Sequence, residues 1–100
     1  MKGDMNPALP TAWHYVYVLR CSKAPWIYIG CTNCIEKRLV QHNDGEVYST
    51  KSRLPVELMY YEAYKIKELA YNREKKLKSY GSSLAKLKSR IGVTKEGRAG

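Results

Sequence analysis

Apolar residues are arranged in two ways along this chain, as short unbroken runs and as stripes at helical spacing. From His14 to Arg20 the run Tyr15, Val16, Tyr17, Val18 and Leu19 is β-branched and aromatic without alternation, which predicts a central strand covered on both faces. Trp26 to Cys31 is a second such run, and the short Cys21 to Pro25 link between them predicts a β-hairpin. Gly30 ends the second strand where the chain can turn sharply. Asn33 followed three residues later by Glu36 matches a helix N-cap and its reciprocal partner, and Ile35, Leu39 and Val40 give the helix an apolar face. Arg38 and His42, at i and i+4, then point from one side of it.

Asn43 to Arg53 is polar, carries the turn signal Asp44-Gly45, and predicts an exposed loop made basic by Lys51 and Arg53. Pro55 opens a third strand, Val56 to Tyr61. Ile66, Leu69, Ala70 and Leu77 recur at helical spacing over Lys65 to Lys78, Gly81 interrupts, and Leu84, Leu87 and Ile91 mark a third helix over Ser82 to Arg90, closed by Gly92. The pattern is α+β in the order β-β-α-β-α-α. Residues 1–12, with Gly3, Pro7 and Pro10 and no apolar period, read as a flexible leader, 13–91 as a single domain and 92–100 as a flexible tail.

A formal net charge of +9 favours a polyanionic partner, nucleic acid or an acidic surface. No run approaches the roughly 18 apolar residues that cross a bilayer, and the first residues lack the apolar core of a signal peptide. The expectation is a cytoplasmic protein without a membrane partner. Three cysteines, an odd number, argue against a secreted disulfide scaffold. Cys31 and Cys34 have the spacing of a metal or redox pair, but a zinc site would need two further ligands at no recognised spacing.

Hydrolysis of a phosphodiester needs a positioned water, a base for its proton and positive charge at the phosphorus centre, part of which a divalent ion commonly supplies. Tyr17, Tyr28, Arg38 and His42 supply such groups. A phenol has an unperturbed pKa of about 10, so a tyrosine base requires its pKa lowered by Arg38, a lysine or a metal.

These residues resemble the GIY-YIG nuclease superfamily, in particular small standalone members related to the N-terminal domain of the excinuclease C subunit. Tyr15-Val16-Tyr17 matches the first signature and Tyr28-Ile29-Gly30 the second. Thr32, Arg38, His42 and Asn43 follow at the family's spacings, then Pro55-Val56-Glu57-Leu58, Tyr60-Tyr61-Glu62, Ala70, Arg73-Glu74-Lys75 and Leu77-Lys78. The resemblance runs from Tyr15 to Ile91. It departs at Tyr15, where the family name has glycine, and at Leu84 to Arg90, where many members carry an asparagine.

The resemblance implies a three-stranded antiparallel sheet flanked by helices and a metal-dependent endonuclease of DNA repair or recombination. Tyr17 and Tyr28 would be the paired phenols, one of them base or water positioner, with Arg38 stabilising the transition state and His42 near the phosphate. Glu74 would hold one divalent cation, Mg2+ or Mn2+. The local alternative for Glu74 is a surface ion pair with Lys78 at i+4. Lys51, Arg53, Lys75, Lys76 and Lys78 would track DNA phosphates. A non-cleaving nucleic-acid-binding module is the other class of function, and a subunit drawing its specificity from a protein partner a third.

Overall fold

A computed structural model of the protein describes residues 13–79 and 81–93. The elements follow in the expected order: β1 (His14–Cys21), β2 (Ile27–Thr32), α1 (Ile35–Asn43), β3 (Val56–Tyr64), α2 (Lys67–Lys78) and α3 (Ser82–Ile91). The strands form one antiparallel sheet in the order β2-β1-β3, so the unbroken apolar run is the middle strand. The leader read at 1–12 and the tail from residue 94 lie outside the described residues. Gly92 closes α3 as its sequence position predicts, and Val93, the next residue, joins the cap. Gly92 takes φ 83°, a left-handed conformation open to glycine, and Val93 N–H returns to the Lys88 carbonyl at 2.9 Å.

Both faces of β1 are buried because a different layer covers each. Tyr17 and Leu19 join Val56 on one face, with Ile35 and Leu39 of α1 packed against them. Val16 and Val18 join Ile29 on the other, under Ala70 and Leu77 of α2 and Leu84 and Leu87 of α3. Successive strand residues point to opposite faces, so this one run serves two cores. A register shift between Val18 and Leu19 on the β3 side keeps both faces filled along the longer strand.

Two polar devices fix the helices to the sheet. Asn43, the last residue of α1, accepts from Val56 N–H at 2.9 Å through Oδ1 and donates to the Val56 carbonyl at 3.0 Å through Nδ2. Its amide thus acts like a ladder partner at the start of β3. At the far end of β3, Glu62 accepts from the Tyr60 hydroxyl at 2.7 Å, the Tyr64 hydroxyl at 2.6 Å and the Arg73 guanidinium, Nη2 to Oε2 at 2.8 Å. β3 runs three residues beyond the Tyr61 expected from sequence, and Glu62 lies in that extension.

Burial alone would raise the Glu62 pKa, but the hydrogen bonds from Arg73, Tyr64 and Tyr60 outweigh it and hold the carboxyl below the usual carboxylate range. A depressed pKa contributes stability above the unfolded value, and that contribution is lost as pH falls through the folded one. Glu62→Gln should therefore cost about 2 kcal/mol at neutral pH, lowering the thermal midpoint by roughly 10 °C. The gap from wild type should close as the pH is taken below the carboxylate range. Melting curves at pH 7 and pH 3 measure both.

Candidate active site

The β1–β2 register places Tyr17 opposite Gly30, and this pair shapes the site. A Cβ built on Gly30 would lie 2.5 Å from both Cζ and the hydroxyl of Tyr17, and 2.9 Å from the Tyr28 ring. The absent side chain is the space that the Tyr17 phenol fills, and Tyr28 leans against it with ring centroids 6.3 Å apart. Gly30 is thus required by close approach rather than by a sharp turn.

His42 is fully buried behind the two phenols, its ring edge-on to Tyr28 at 5.1 Å and to Tyr17 at 5.8 Å. Its Nε2 is 2.9 Å from the Tyr17 hydroxyl and its Nδ1 is 2.7 Å from Thr50 Oγ1. The Thr50 hydroxyl is directed at the Val47 carbonyl. That leaves Nδ1–H to donate to Thr50 and Nε2 to accept from Tyr17, a tautomer assigned from the hydrogen-bond network. Sequence reasoning missed Thr50, a threonine in a polar loop with nothing at a telling spacing. The i, i+4 spacing puts His42 on the helix side of Arg38, but spacing alone does not show that His42 is fully buried while Arg38 is half-buried.

The titration properties follow from this packing. Burial pushes the Tyr17 phenol up to about 12, outweighing the pull of the nearby Arg38 guanidinium, and the charges of Tyr28 and Glu74 add to the rise. Burial, then Arg38, holds His42 below the ordinary imidazole value. Arg38 lowers its tyrosine partner as expected, but burial outweighs it and the net shift of Tyr17 is upward. Arg38 itself is half-buried and donates to Gln41 Oε1 at 3.0 Å.

Glu74 reaches the same place from the opposite layer. β2 is an edge strand, so α2 looks past it toward the phenols, and the Glu74 charge is felt at Tyr17 and at Cys31. The Lys78 ammonium lies 3.1 Å from Glu74 Oε2 and 5.5 Å from the centre of the Tyr28 ring. The ion pair foreseen at i+4 therefore exists, and it sits beside the phenols. Arg53 is brought there too, over Trp26 at 5.1 Å, and Trp26 is stacked toward Tyr28 at 6.4 Å. Lys51 sits over Tyr48 on the loop, and Lys75 and Lys76 are exposed on the last turn of α2 with no contact tying them to the phenols. The helix expected to start at an Asn33 cap starts at a Cys34 cap, whose N–H goes to Thr32 Oγ1 at 3.1 Å.

Comparison with known proteins decides what this arrangement belongs to. Residues 13–88 match the family model described as the GIY-YIG catalytic domain. The chain belongs to the GIY-YIG family. It is 39% identical over 69 residues to a UPF0213 protein of Haloquadratum walsbyi, covering 68% of this chain and 76% of that one. A UPF0213 protein of Bacillus licheniformis is 46% identical over 67 residues, 66% of this chain and 68% of its own. A third, from Streptococcus pyogenes, is 43% identical over 75 residues, 71% and 80% of the two chains. No solved structure matches at a significant level. The domain is that of a nuclease superfamily, and this GIY-YIG chain is a small member of it. Among the described residues, no helix is long and apolar enough to cross a membrane.

A methyl group at position 30 tests the geometry directly. Gly30→Ala should destabilise the domain by about 1–3 kcal/mol, the ordinary cost of overpacking, because the Tyr17 ring is enclosed and cannot yield. In a Tyr17→Val background the same Gly30→Ala change should cost much less, because the ring that the methyl group meets is gone. Thermal unfolding in the two backgrounds is the measurement, and equal melting of Gly30→Ala and wild type would remove the close contact.

Proposed function

We propose that this GIY-YIG domain is a divalent-metal-dependent endonuclease that hydrolyses phosphodiester bonds in DNA. The observation carrying the reading is the hydrogen bond from the Tyr17 hydroxyl to a neutral, buried His42 beside Arg38, with Tyr28 and Glu74 bordering the same spot. A pure binding surface has no use for a buried phenol–imidazole pair.

A cation fits here on the chemistry of the donors. The Lys78 ammonium already occupies a place between the Glu74 carboxylate and the Tyr28 ring face, both of which favour positive charge. Among the described residues no three His, Cys, Asp or Glu side chains gather, so Glu74 would be the single protein carboxylate. That suits Mg2+ or Mn2+, which keep several waters and bind substrate phosphate oxygens. Bound there, the ion would supply positive charge at the phosphate and its leaving oxygen.

The chain's own residues provide the rest. A phenol pushed up to about 12 is protonated at neutral pH, so Tyr17 is not a ready-made phenolate. It acts with His42: as the Tyr17 oxygen takes a proton from the attacking water, its own proton passes to His42 Nε2. Thr50 keeps Nδ1–H engaged and so keeps Nε2 free to accept. Tyr28 orients the water or the phosphate, and Arg38 faces the charge developing on the phosphate oxygens. Lys78 and Arg53 hold neighbouring phosphates.

Arg38→Ala and Glu74→Ala should each reduce Mg2+- or Mn2+-dependent plasmid cleavage by about a hundredfold or more, with a much smaller loss of DNA affinity. Cleavage that survives either change, or that persists in chelator, would sink the mechanism.

The pH profile should separate the phenol–imidazole pair from a free phenolate. His42 must be neutral, and its pKa is lowered, so the acid limb should fall on the acid side of 6.5, the ordinary imidazole value. The rate should then stay level to at least pH 9, since Tyr17 remains protonated there. A rate that keeps climbing tenfold per unit above pH 8 would instead mark a phenolate base.

A further inference from the structure

A cleft of about 370 Å³ runs along the outer edge of β2, between that strand and α3. Tyr28 lines it, so the cleft adjoins the candidate active site. Trp26, Leu84, Lys78 and Lys88 line it as well. Its volume falls at the small end of the roughly 300–1,000 Å³ of ligand clefts, suited to one flat group and its attachments.

Trp26 is the feature that fold and mechanism leave unexplained. It is a large half-buried aromatic that belongs to neither core cluster. Its ring lies 29° from parallel to that of Tyr28, and a cation faces each ring, Arg53 on Trp26 and Lys78 on Tyr28. Lys88 is half-buried, and no described carboxylate pairs with it. Aromatic planes interleaved with cations, beside a place suited to a phosphate, are the chemistry that receives a nucleobase and its backbone.

We propose that this cleft is a nucleobase subsite, taking an unstacked base next to the scissile linkage, with Trp26 as the stacking platform and Lys78, Lys88 and Arg53 on the flanking phosphates. The position of that linkage rests on the endonuclease reading above. A fully paired duplex can fill the cleft only by giving up a base pair. The substrate class is therefore DNA with an unpaired nucleotide at the cut.

Binding tests this without cleavage. The chain has two tryptophans, so Trp13→Phe leaves Trp26 as the one tryptophan, to be excited beyond the tyrosine absorption band and titrated in chelator with a short single strand and with a blunt duplex of equal length. The single strand should quench Trp26 and the duplex should not. In the full chain, Trp26→Ala should weaken single-strand binding about tenfold by fluorescence anisotropy, and Trp26→Phe should restore most of it. Equal quenching by both DNAs, or unchanged strand affinity in Trp26→Ala, overturns the subsite. The two readings fail separately. Quenching by a protein that never cuts would sink the endonuclease and leave the subsite, whereas cleavage dependent on Arg38 and Glu74 without quenching would do the reverse.

Discussion

No side chain can occupy position 30 while the Tyr17 ring lies across it, and the arrangement of the whole site descends from that exclusion. With Cζ and hydroxyl 2.5 Å from where a Cβ would stand, the phenol is held flat against the β1–β2 ladder. Its oxygen is thereby fixed at hydrogen-bond distance from His42. Gly30 has no left-handed backbone conformation to account for it. Its role is the volume it leaves empty, and Tyr17, Tyr28 and His42 close around that volume.

The sheet order then explains how residues so distant in sequence meet. β2 lies at an edge, α1 covers one face and α2 with α3 the other. Only past an edge strand can side chains from both layers reach one point. Arg38 and His42 arrive from α1, Glu74 and Lys78 from α2, and the strand between them contributes Tyr28 and the gap at Gly30. A central β2 would have kept Glu74 on the far side of the sheet from α1. The same open edge leaves exposed the cleft that Trp26 and Tyr28 line.

Much of this was legible in the residues. The middle strand declared itself by an apolar run without alternation, and the helices by their spacing. Boundaries erred where a polar side chain decided them. The apolar run predicts that β3 stops at Tyr61, yet the strand continues to Tyr64, where Glu62 finds Arg73 eleven residues on. The capping pattern points to Asn33 by spacing alone, while the Thr32 hydroxyl captures the Cys34 N–H and the helix starts one residue later. Helical spacing put His42 beside Arg38 but could not show that the loop returns to seal it with Thr50. Glu74 was visible only through family resemblance. A carboxylate with lysine at i+4 has the local pattern of a surface pair, and here it is both that pair and a neighbour of the phenols.

Burial would seem to disable the phenol it positions, since it drives Tyr17 up to about 12 and away from the phenolate. The pairing with His42 turns that cost into a constraint on when the proton moves. Arg38 is one of the two causes that keep His42 from taking a proton in the free protein. A phosphate placed against that guanidinium would neutralise its field, and the imidazole would become a better acceptor as substrate arrives. An imidazolium formed at that moment lies near a phosphate gaining negative charge, so acceptance of the proton and attack on phosphorus favour one another. On this account Arg38 does more than steady the transition state. In the mechanism proposed above it would also hold the Tyr17–His42 pair back until an anion is present, which requires guanidinium, phenol and imidazole to share one enclosed space.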